Sequence, residues 1–266
     1  AFGAPVCGGE GDDSVGRARW NGREARRVGA PLGGELHDVL VGRVEQAYEE
    51  FEFHRVYHSL HAFCAVDMSQ VYLDSRKDTL YTSRADHPSR RSAQTALYHI
   101  VHALARVAAP ILSHTCEEIW EHLAQRESLP ASIELADWPR LAVWTDAGLG
   151  KRWESLLAVR EQVARALESA KSAGLIRQPL EARVELHPDA EREMLMSVGE
   201  EGLAALFVVS QVTFSEETDG GVVVERAAGE KCARCWLRLP TVGCSTSHPV
   251  LCHRCVDALE KGMPGQ

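Results

Sequence analysis

Four cysteines near the end of the chain have the spacing of a metal site. They form two Cys-x-x-Cys pairs, Cys232 with Cys235 and Cys252 with Cys255, and sixteen residues separate the pairs. In each pair one tight turn brings two thiolates to the same ion, and two such turns complete a tetrahedral ligand set. Because four thiolates leave no open coordination position, the sequence predicts one structural Zn²⁺ that folds this segment and takes no part in catalysis.

Other thiol and imidazole groups offer alternative ligands. Three of them lie near the pairs but lack a paired spacing: Cys244, His248 and His253. Further upstream, three histidines occur four and three residues apart, a spacing that can place imidazoles on one metal: His54, His58 and His61. For these three, the edge of a partly exposed helix is the favoured interpretation. The remaining interpretation of the paired cysteines is that they are reduced thiols without an ion.

Basic residues gather in two short stretches, although the chain carries a net charge of −9. That charge argues against a protein that coats nucleic acid indiscriminately, but it leaves room for a local basic surface. One stretch lies in the cysteine-rich tail, and the other lies in a polar turn for which a solvated loop is the alternative. The residues predicted to contact nucleic acid are Arg90, Arg91, Lys231, Arg234, Trp236, Arg238 and Arg254. For Trp236, an indole that covers the metal site is favoured over a platform for base stacking.

The residues before the tail have the periodicity of helices. Apolar positions three and four apart predict one buried stripe: Leu97, Ile100, Val101, Leu104, Val107 and Ala108. Pro110 should end this helix. Thr115 and Glu118 have the spacing of a capping box and predict a second helix from near Cys116. That helix is expected to bury Ile119, Trp120 and Leu123, and the resulting hairpin forms the centre of a bundle.

The same reasoning predicts the remaining elements. Helices are expected over residues 36–51 and 53–63, and a capping box of Asp67 and Gln70 opens another that runs through Leu80. A long helix over residues 151–173 should end at Gly174. The period then changes to two, which predicts strands at 182–186, within 206–214 and at 222–224, with a short helix at 190–198. The predicted fold class is mainly α, with a helical bundle, a small α+β unit and a Cys₄ zinc-binding tail.

Composition sets the expected organisation. Residues 1–34 hold nine glycines and no apolar periodicity, so residues 1–35 are expected to be disordered or to be a misassembled segment. The bundle is assigned to residues 36–150, the long helix and α+β unit to 151–228, and the zinc tail to 229–266. No run approaches the roughly 18 apolar residues of a membrane span, and no leader is evident, so a cytoplasmic protein is expected. The first residue is Ala rather than Met, which favours a fragment.

Several segments resemble bacterial-type isoleucyl-tRNA synthetase in its C-terminal third. They are residues 53–63, 67–83, 90–97, 109–112, 117–120, 178–182 and 209–212, together with the motifs Lys-Cys-x-Arg-Cys-Trp and His-Pro-x-Leu-Cys-x-Arg-Cys. The resemblance covers about residues 36–260. Synthetases for valine, leucine and methionine share the anticodon-binding helical bundle, but the four-cysteine tail points to isoleucine.

The resemblance implies a parent enzyme that activates isoleucine with ATP and charges tRNA(Ile). The catalytic and editing domains of that family are absent from this sequence. The chain is therefore expected to bind tRNA(Ile) but not ATP, DNA or membrane, to be inactive alone, and to be a monomer. One alternative is a free-standing tRNA-binding zinc module. Another is a DNA glycosylase of the formamidopyrimidine type, which has a similar zinc tail but begins with a proline and a glutamate that are missing here.

Overall fold

The computed structural model describes residues 40–123, 128–140, 147–188, 191–216 and 221–260. Their contacts divide into two compact units. The helical unit contains the described residues of 40–73 and 88–151, and the mixed unit contains 74–87 and the described residues of 152–260. The segment expected to be disordered, residues 1–35, lies outside the described residues.

The helical unit is built from short helices around one long one. Its elements are α1 (Gly42–Glu49), α2 (Phe53–Ala62), a π-helix (Phe63–Leu73), α4 (Pro88–Ala108), α5 (Ser113–Glu121) and a 3₁₀ turn (Ile133–Leu135). Between them along the chain, α3 (Asp74–Thr82) belongs to the mixed unit, and α6 (Ala147–Ser172) begins in the helical unit and continues into the mixed one.

The predicted stripe of α4 is only partly buried. Ile100, Ala103 and Val107 lie at steps of three and four and are buried against residues of α1, α2 and the π-helix. Val101, which the pattern assigned to the stripe, is instead 37% exposed. It lies one residue beyond Ile100, which at 100° per residue turns its side chain away from the packed face.

The hairpin that follows α4 forms a second small core. Trp120 and Cys116 of α5 are buried with Ile133, and the Trp120 indole Nε1 donates to the carbonyl of Pro130 at 3.0 Å. Ile119, predicted to be buried, is 37% exposed because the adjacent Trp120 occupies the inward face.

The two predicted capping boxes are wrong. Helix α5 begins at Ser113, and its N-cap residue Leu112 makes no side-chain cap bond, so Thr115 already lies inside the first turn. Asp67 lies within the π-helix, where the chain is helical before and after it. A capping box stabilises a helix that starts after a non-helical residue, and neither position offers one.

The mixed unit continues α6 into a small sheet. Its elements are a 3₁₀ turn (Pro179–Glu181), β1 (Ala182–Leu186), α7 (Arg192–Val198), α8 (Glu200–Phe207), β2 (Gln211–Phe214) and β3 (Val222–Arg226). The predicted stop at Gly174 is confirmed: its φ is +73°, Leu175 N–H donates to the Ala170 carbonyl, and Gly174 N–H donates to the Lys171 carbonyl. These two bonds form a Schellman motif, whose left-handed residue is usually glycine.

The sheet has the order β2-β1-β3, with β1 in the centre. β1 pairs parallel with β2, with Val184 opposite Val212, and antiparallel with β3, with Val184 opposite Val224. The parallel pair requires a crossover, which α7 and α8 provide. The core beneath this sheet contains Leu203 and Val163, both fully buried. The sequence pattern does not predict helix α8, and it places the last two residues of this helix, Leu206 and Phe207, in a β-rich segment.

The metal tail, defined as residues 229–260, ends the described chain. It contains the two-residue strands β4 (Glu230–Lys231) and β5 (Arg238–Leu239) and helix α9 (His253–Glu260). Gly229 has a φ of +86°, and a Cβ atom there would meet the backbone carbon of Leu239 at 2.3 Å, so only glycine fits at this entry.

The predicted fold class is confirmed: the described chain is mainly helical, with a small sheet and a cysteine-rich tail. The boundary expected at residue 150 falls inside α6. No helix of the described residues is both long enough and apolar enough to cross a bilayer.

Candidate metal centre and nucleic-acid interface

Each Cys-x-x-Cys pair is closed by backbone hydrogen bonds. In the first, Trp236 N–H donates to the Cys232 carbonyl at 3.0 Å, and Cys232 N–H donates to the Leu237 carbonyl at 2.9 Å. In the second, Cys255 N–H donates to the Cys252 carbonyl at 3.0 Å in the first turn of α9. The bond from Ala233 N–H to the Val250 carbonyl, 3.0 Å, joins the two turns. The sequence therefore brings all four thiols to one point.

The four thiols form a compact, buried cluster. The sulfurs of Cys232, Cys235, Cys252 and Cys255 all lie within 4.8 Å of one another, and all four residues are buried. The Sγ atoms of Cys235 and Cys252 are 3.8 Å apart. A tetrahedral ion with Zn–S bonds of about 2.3 Å requires sulfur–sulfur edges of about 3.8 Å, so the donor set and its spacing fit Zn²⁺. Such an ion holds the two turns together and offers no position for a substrate.

Backbone donors prepare one of these thiols for a metal. Burial acts to raise the pKa of Cys232, but backbone N–H groups of Cys235, Cys252 and Arg234 lower it to about 6. A hydrogen bond in which the Cys252 thiol donates to the Cys235 sulfur raises the pKa of Cys252 to about 11. In the cluster without an ion, Cys232 thus ionises readily, whereas repulsion between the close sulfurs opposes ionisation of the other thiols. A divalent cation that replaces the remaining protons would offset the repulsion between the thiolates.

Within the part of the chain that the structure describes, the alternative ligands are not gathered into a cluster. Among the residues that the structure describes, the four tail cysteines are the group of metal-ligating side chains brought together, and Cys244, His248 and His253 do not belong to it. The helical histidines His58 and His61 instead pack their rings against Tyr57, at centroid distances of 5.2 and 5.6 Å.

Two tail residues predicted to meet nucleic acid lie together on the surface. Trp236 follows the second ligand with a φ of +68°, a left-handed conformation that is rare for a bulky side chain. It is 59% exposed, so most of the indole surface lies in solvent, and both interpretations of this residue stay predictions. The ammonium group of Lys231 lies 5.3 Å from the indole centre, within cation–π range.

The arginines of the tail have protein partners. The Arg254 guanidinium makes a bidentate contact with the Asp78 carboxylate, with Nη2 2.8 Å from Oδ1. Arg234 donates to the Thr82 carbonyl and lies 3.7 Å from the Cys255 sulfur. Arg238 donates from Nη1 to the Gly229 carbonyl at 3.2 Å.

The other two predicted arginines belong to the helical unit. Arg90 and Arg91 lie in the first turn of α4, where a polar turn was expected. Arg91 is exposed, and its Nη1 donates to the side-chain oxygen of Gln94 at 3.2 Å; Arg90 is half-buried. Neither the role of Asp78 nor that of Thr82 was predicted. Their only signal in the sequence is a spacing of four residues, which is common in any helix.

Residues 35–186 match the family described as the anticodon-binding domain of tRNA ligase, and residues 229–258 match the zinc finger found in FPG and IleRS. The chain is 43% identical over 238 residues to the isoleucine–tRNA ligase of Moorella thermoacetica, covering 84% of this chain and 26% of the relative. It is 44% identical over 232 residues to that of Syntrophotalea carbinolica, covering 83% of this chain and 25% of the relative. Identity to the Bacillus subtilis isoleucine–tRNA ligase is 38% over 233 residues, which cover 84% of this chain and 25% of the relative. The chain spans about a quarter of the length of these relatives.

Proposed function

Because the chain belongs to the family of anticodon-binding domains of tRNA ligases, we propose that it binds tRNA(Ile) on the anticodon side as part of an isoleucine–tRNA ligase. The whole ligase activates isoleucine with ATP and charges the tRNA. This chain contributes recognition, and its Zn²⁺ is structural. The match over residues 35–186 favours a ligase over a DNA glycosylase, since the glycosylase alternative rests on the zinc finger alone.

The observation that carries this proposal is the exposed pair of Trp236 and Lys231. An indole with most of its surface in solvent stacks on an unpaired base, and single-stranded loops are where proteins read RNA. The left-handed backbone of Trp236 is fixed by the hydrogen bond of its N–H to the Cys232 carbonyl, so the platform depends on the metal turn. The adjacent ammonium supplies a cation for a phosphate beside that base. Exposed Arg91 is a further phosphate contact within this proposal, and the assignment of Arg90 stays a prediction.

Two single variants test the proposal by different signatures. Trp236→Ala removes a stacking surface and no charge, so tRNA affinity should fall about 5- to 150-fold, the equivalent of about 1–3 kcal/mol. The slope of log affinity against log salt should not change. Lys231→Gln removes a charge, so it should flatten that slope by about 0.7 to 0.9.

The matched control is Lys171→Gln, an equal change of charge at an exposed lysine ion-paired with Glu168. It should leave affinity and slope unchanged. Fluorescence titration of tRNA(Ile) onto each variant at several salt concentrations, with zinc content checked, provides the measurement. Wild-type affinity in both Trp236→Ala and Lys231→Gln would overturn the proposal.

A further inference from the structure

The two metal turns share a feature that metal binding does not require. Each carries an arginine immediately before its second cysteine, Arg234 before Cys235 and Arg254 before Cys255. Both guanidinium groups reach the same helix, α3. Arg234 donates to the carbonyl of Thr82, and Arg254 clasps the carboxylate of Asp78.

The acceptors on α3 suit these arginines. Thr82 is the last residue of the helix, so its carbonyl lacks an intrahelical donor and lies at the negative end of the helix dipole. Asp78 is four residues earlier and therefore on the same face. The Thr82 hydroxyl donates to the Asp78 carboxylate at 2.8 Å and to the Asp78 carbonyl at 2.9 Å, which fixes the carboxylate opposite Arg254.

The same arginines lie against the metal ligands. Arg234 Nη1 is 3.7 Å from Cys255 Sγ, so one guanidinium contacts both the end of α3 and a ligand sulfur. Zn²⁺ with four thiolates carries a double negative charge, which nearby cations offset. Groups that hydrogen-bond to metal ligands fix their orientation, and their loss typically weakens metal binding 10- to 100-fold.

We propose that Arg234 and Arg254 are positioning residues that lock the C-terminal end of α3 onto the metal turns and slow the release of Zn²⁺, rather than contacts for tRNA phosphates. The tRNA-binding part of this inference rests on the proposed function, whereas the part on Zn²⁺ release does not. Arg254 is then paired with Asp78 and does not contact a phosphate. Lys231 is the tail residue to which the phosphate contact is assigned.

A variant of Asp78 distinguishes the two roles of Arg254, because only the phosphate-contact role predicts a gain of tRNA affinity. If Arg254 contacts a phosphate, Asp78→Asn frees the guanidinium and tightens tRNA binding. If Arg254 is a positioning residue, Asp78→Asn and Arg254→Gln both speed Zn²⁺ release, and Arg254→Gln has the larger effect because the guanidinium also hydrogen-bonds to the Cys235 sulfur. The double variant then loses no more than Arg254→Gln alone, since both changes break the contact between Arg254 and Asp78.

The experiment uses the full zinc-loaded chain and times Zn²⁺ transfer to a chromogenic chelator. Arg234→Gln and Arg254→Gln should each speed release about 10-fold because each loses a contact with α3 and a contact with a ligand sulfur, and Asp78→Asn should speed release less. Arg165→Gln, which breaks the exposed 2.8 Å pair with Glu161, is the control and should release Zn²⁺ at the wild-type rate.

Titration with tRNA(Ile) completes the test. The expected result is a salt slope unchanged by Arg254→Gln and no gain of affinity in Asp78→Asn. Wild-type release rates in the variants, or tighter tRNA binding in Asp78→Asn with a flatter salt slope in Arg254→Gln, would overturn the proposal. If even the wild-type chain fails to bind tRNA, the proposed function fails, while the release rates still decide whether the arginines position the metal turns.

Discussion

The metal tail and the helical unit exclude water from their interiors by different means. In the tail, four of the buried residues are the cysteines themselves, joined by three aliphatic residues, Val242, Leu251 and Val256. The helical unit buries aromatic and branched side chains on helix stripes, among them Trp120, Tyr72, Val44 and Val56. A segment with so few apolar side chains needs a metal or a disulfide to fold, whereas a bundle does not. The stability of the tail should therefore depend on zinc, and that of the helical unit should not.

Replacement of one of the four tail cysteines should have the largest effect, because it should destabilise the tail and leave the helical unit folded. Structural zinc sites contribute on the order of 10–16 kcal/mol of coupled folding free energy, so Cys252→Ser should abolish zinc binding and unfold the tail. Elemental analysis should give about one zinc per wild-type chain and almost none in the variant. Cys64→Ser changes an exposed thiol outside the cluster and should keep the zinc. Undiminished zinc in Cys252→Ser would move the site to Cys244, His248 or His253.

Replacement of a tryptophan in each region should have an effect of intermediate size on the free energy of unfolding. Trp120 is 1% exposed and hydrogen-bonded to the Pro130 carbonyl, so Trp120→Ala should lower the free energy of unfolding of the helical unit by about 3–5 kcal/mol. Trp236→Ala, at an exposed position, should change stability by no more than about 0.5 kcal/mol. Urea unfolding followed by circular dichroism measures both. Equal losses would show that the tail tryptophan is a core residue after all.

The smallest expected effect is on pH dependence. His102 packs against the Trp120 ring at 5.0 Å, and burial, followed by the charges of Arg106 and His99, lowers its pKa to about 4. Its unfolded pKa is near 6.5, so between about pH 6.5 and 4 the unfolded chain binds more protons. Stability of the helical unit should therefore fall as the pH is lowered through that window.

Replacement of this imidazole should remove part of that slope. His102→Gln, measured by urea unfolding in the Cys252→Ser background so that zinc release does not contribute, should flatten the dependence. The exposed control His114→Gln should leave it unchanged. A slope that persists in His102→Gln would assign the acid sensitivity to another group.

The pairing of cysteines within each turn of the tail cluster could be predicted because it depends on covalent spacing. With two residues between paired cysteines, one tight turn is enough to bring both thiols to the same ion. The stops at Pro110 and Gly174 were predictable for a similar reason, since each reflects a local backbone constraint: α4 ends at Ala108, and Gly174 adopts a positive φ. The resemblance to isoleucyl-tRNA synthetase, drawn from short motifs, is confirmed by the matches to both domain families and to the ligases.

The remaining features depend on contacts between distant parts of the chain. Asp78 and Arg254 are 176 residues apart, and no periodicity relates them. The capping boxes failed because a Thr or Asp followed by Glu or Gln also occurs inside helices, as at Asp67 in the π-helix. Trp236 is exposed at a residue with a left-handed backbone, which the sequence pattern does not reveal. The helix of residues 200–207 consists mostly of strong helix formers, and the β-rich run that begins at its last two residues hides it in the sequence.

Hydrogen exchange of the wild-type chain and Cys252→Ser, read by mass spectrometry, tests the difference between the two regions most directly. Amides of residues 229–260 should lose protection in the variant, and so should those at the end of α3 if Arg234 and Arg254 hold it. Amides of α4, α5 and the π-helix should exchange at wild-type rates. Loss of protection throughout the described chain, or no loss in the tail, would contradict the account.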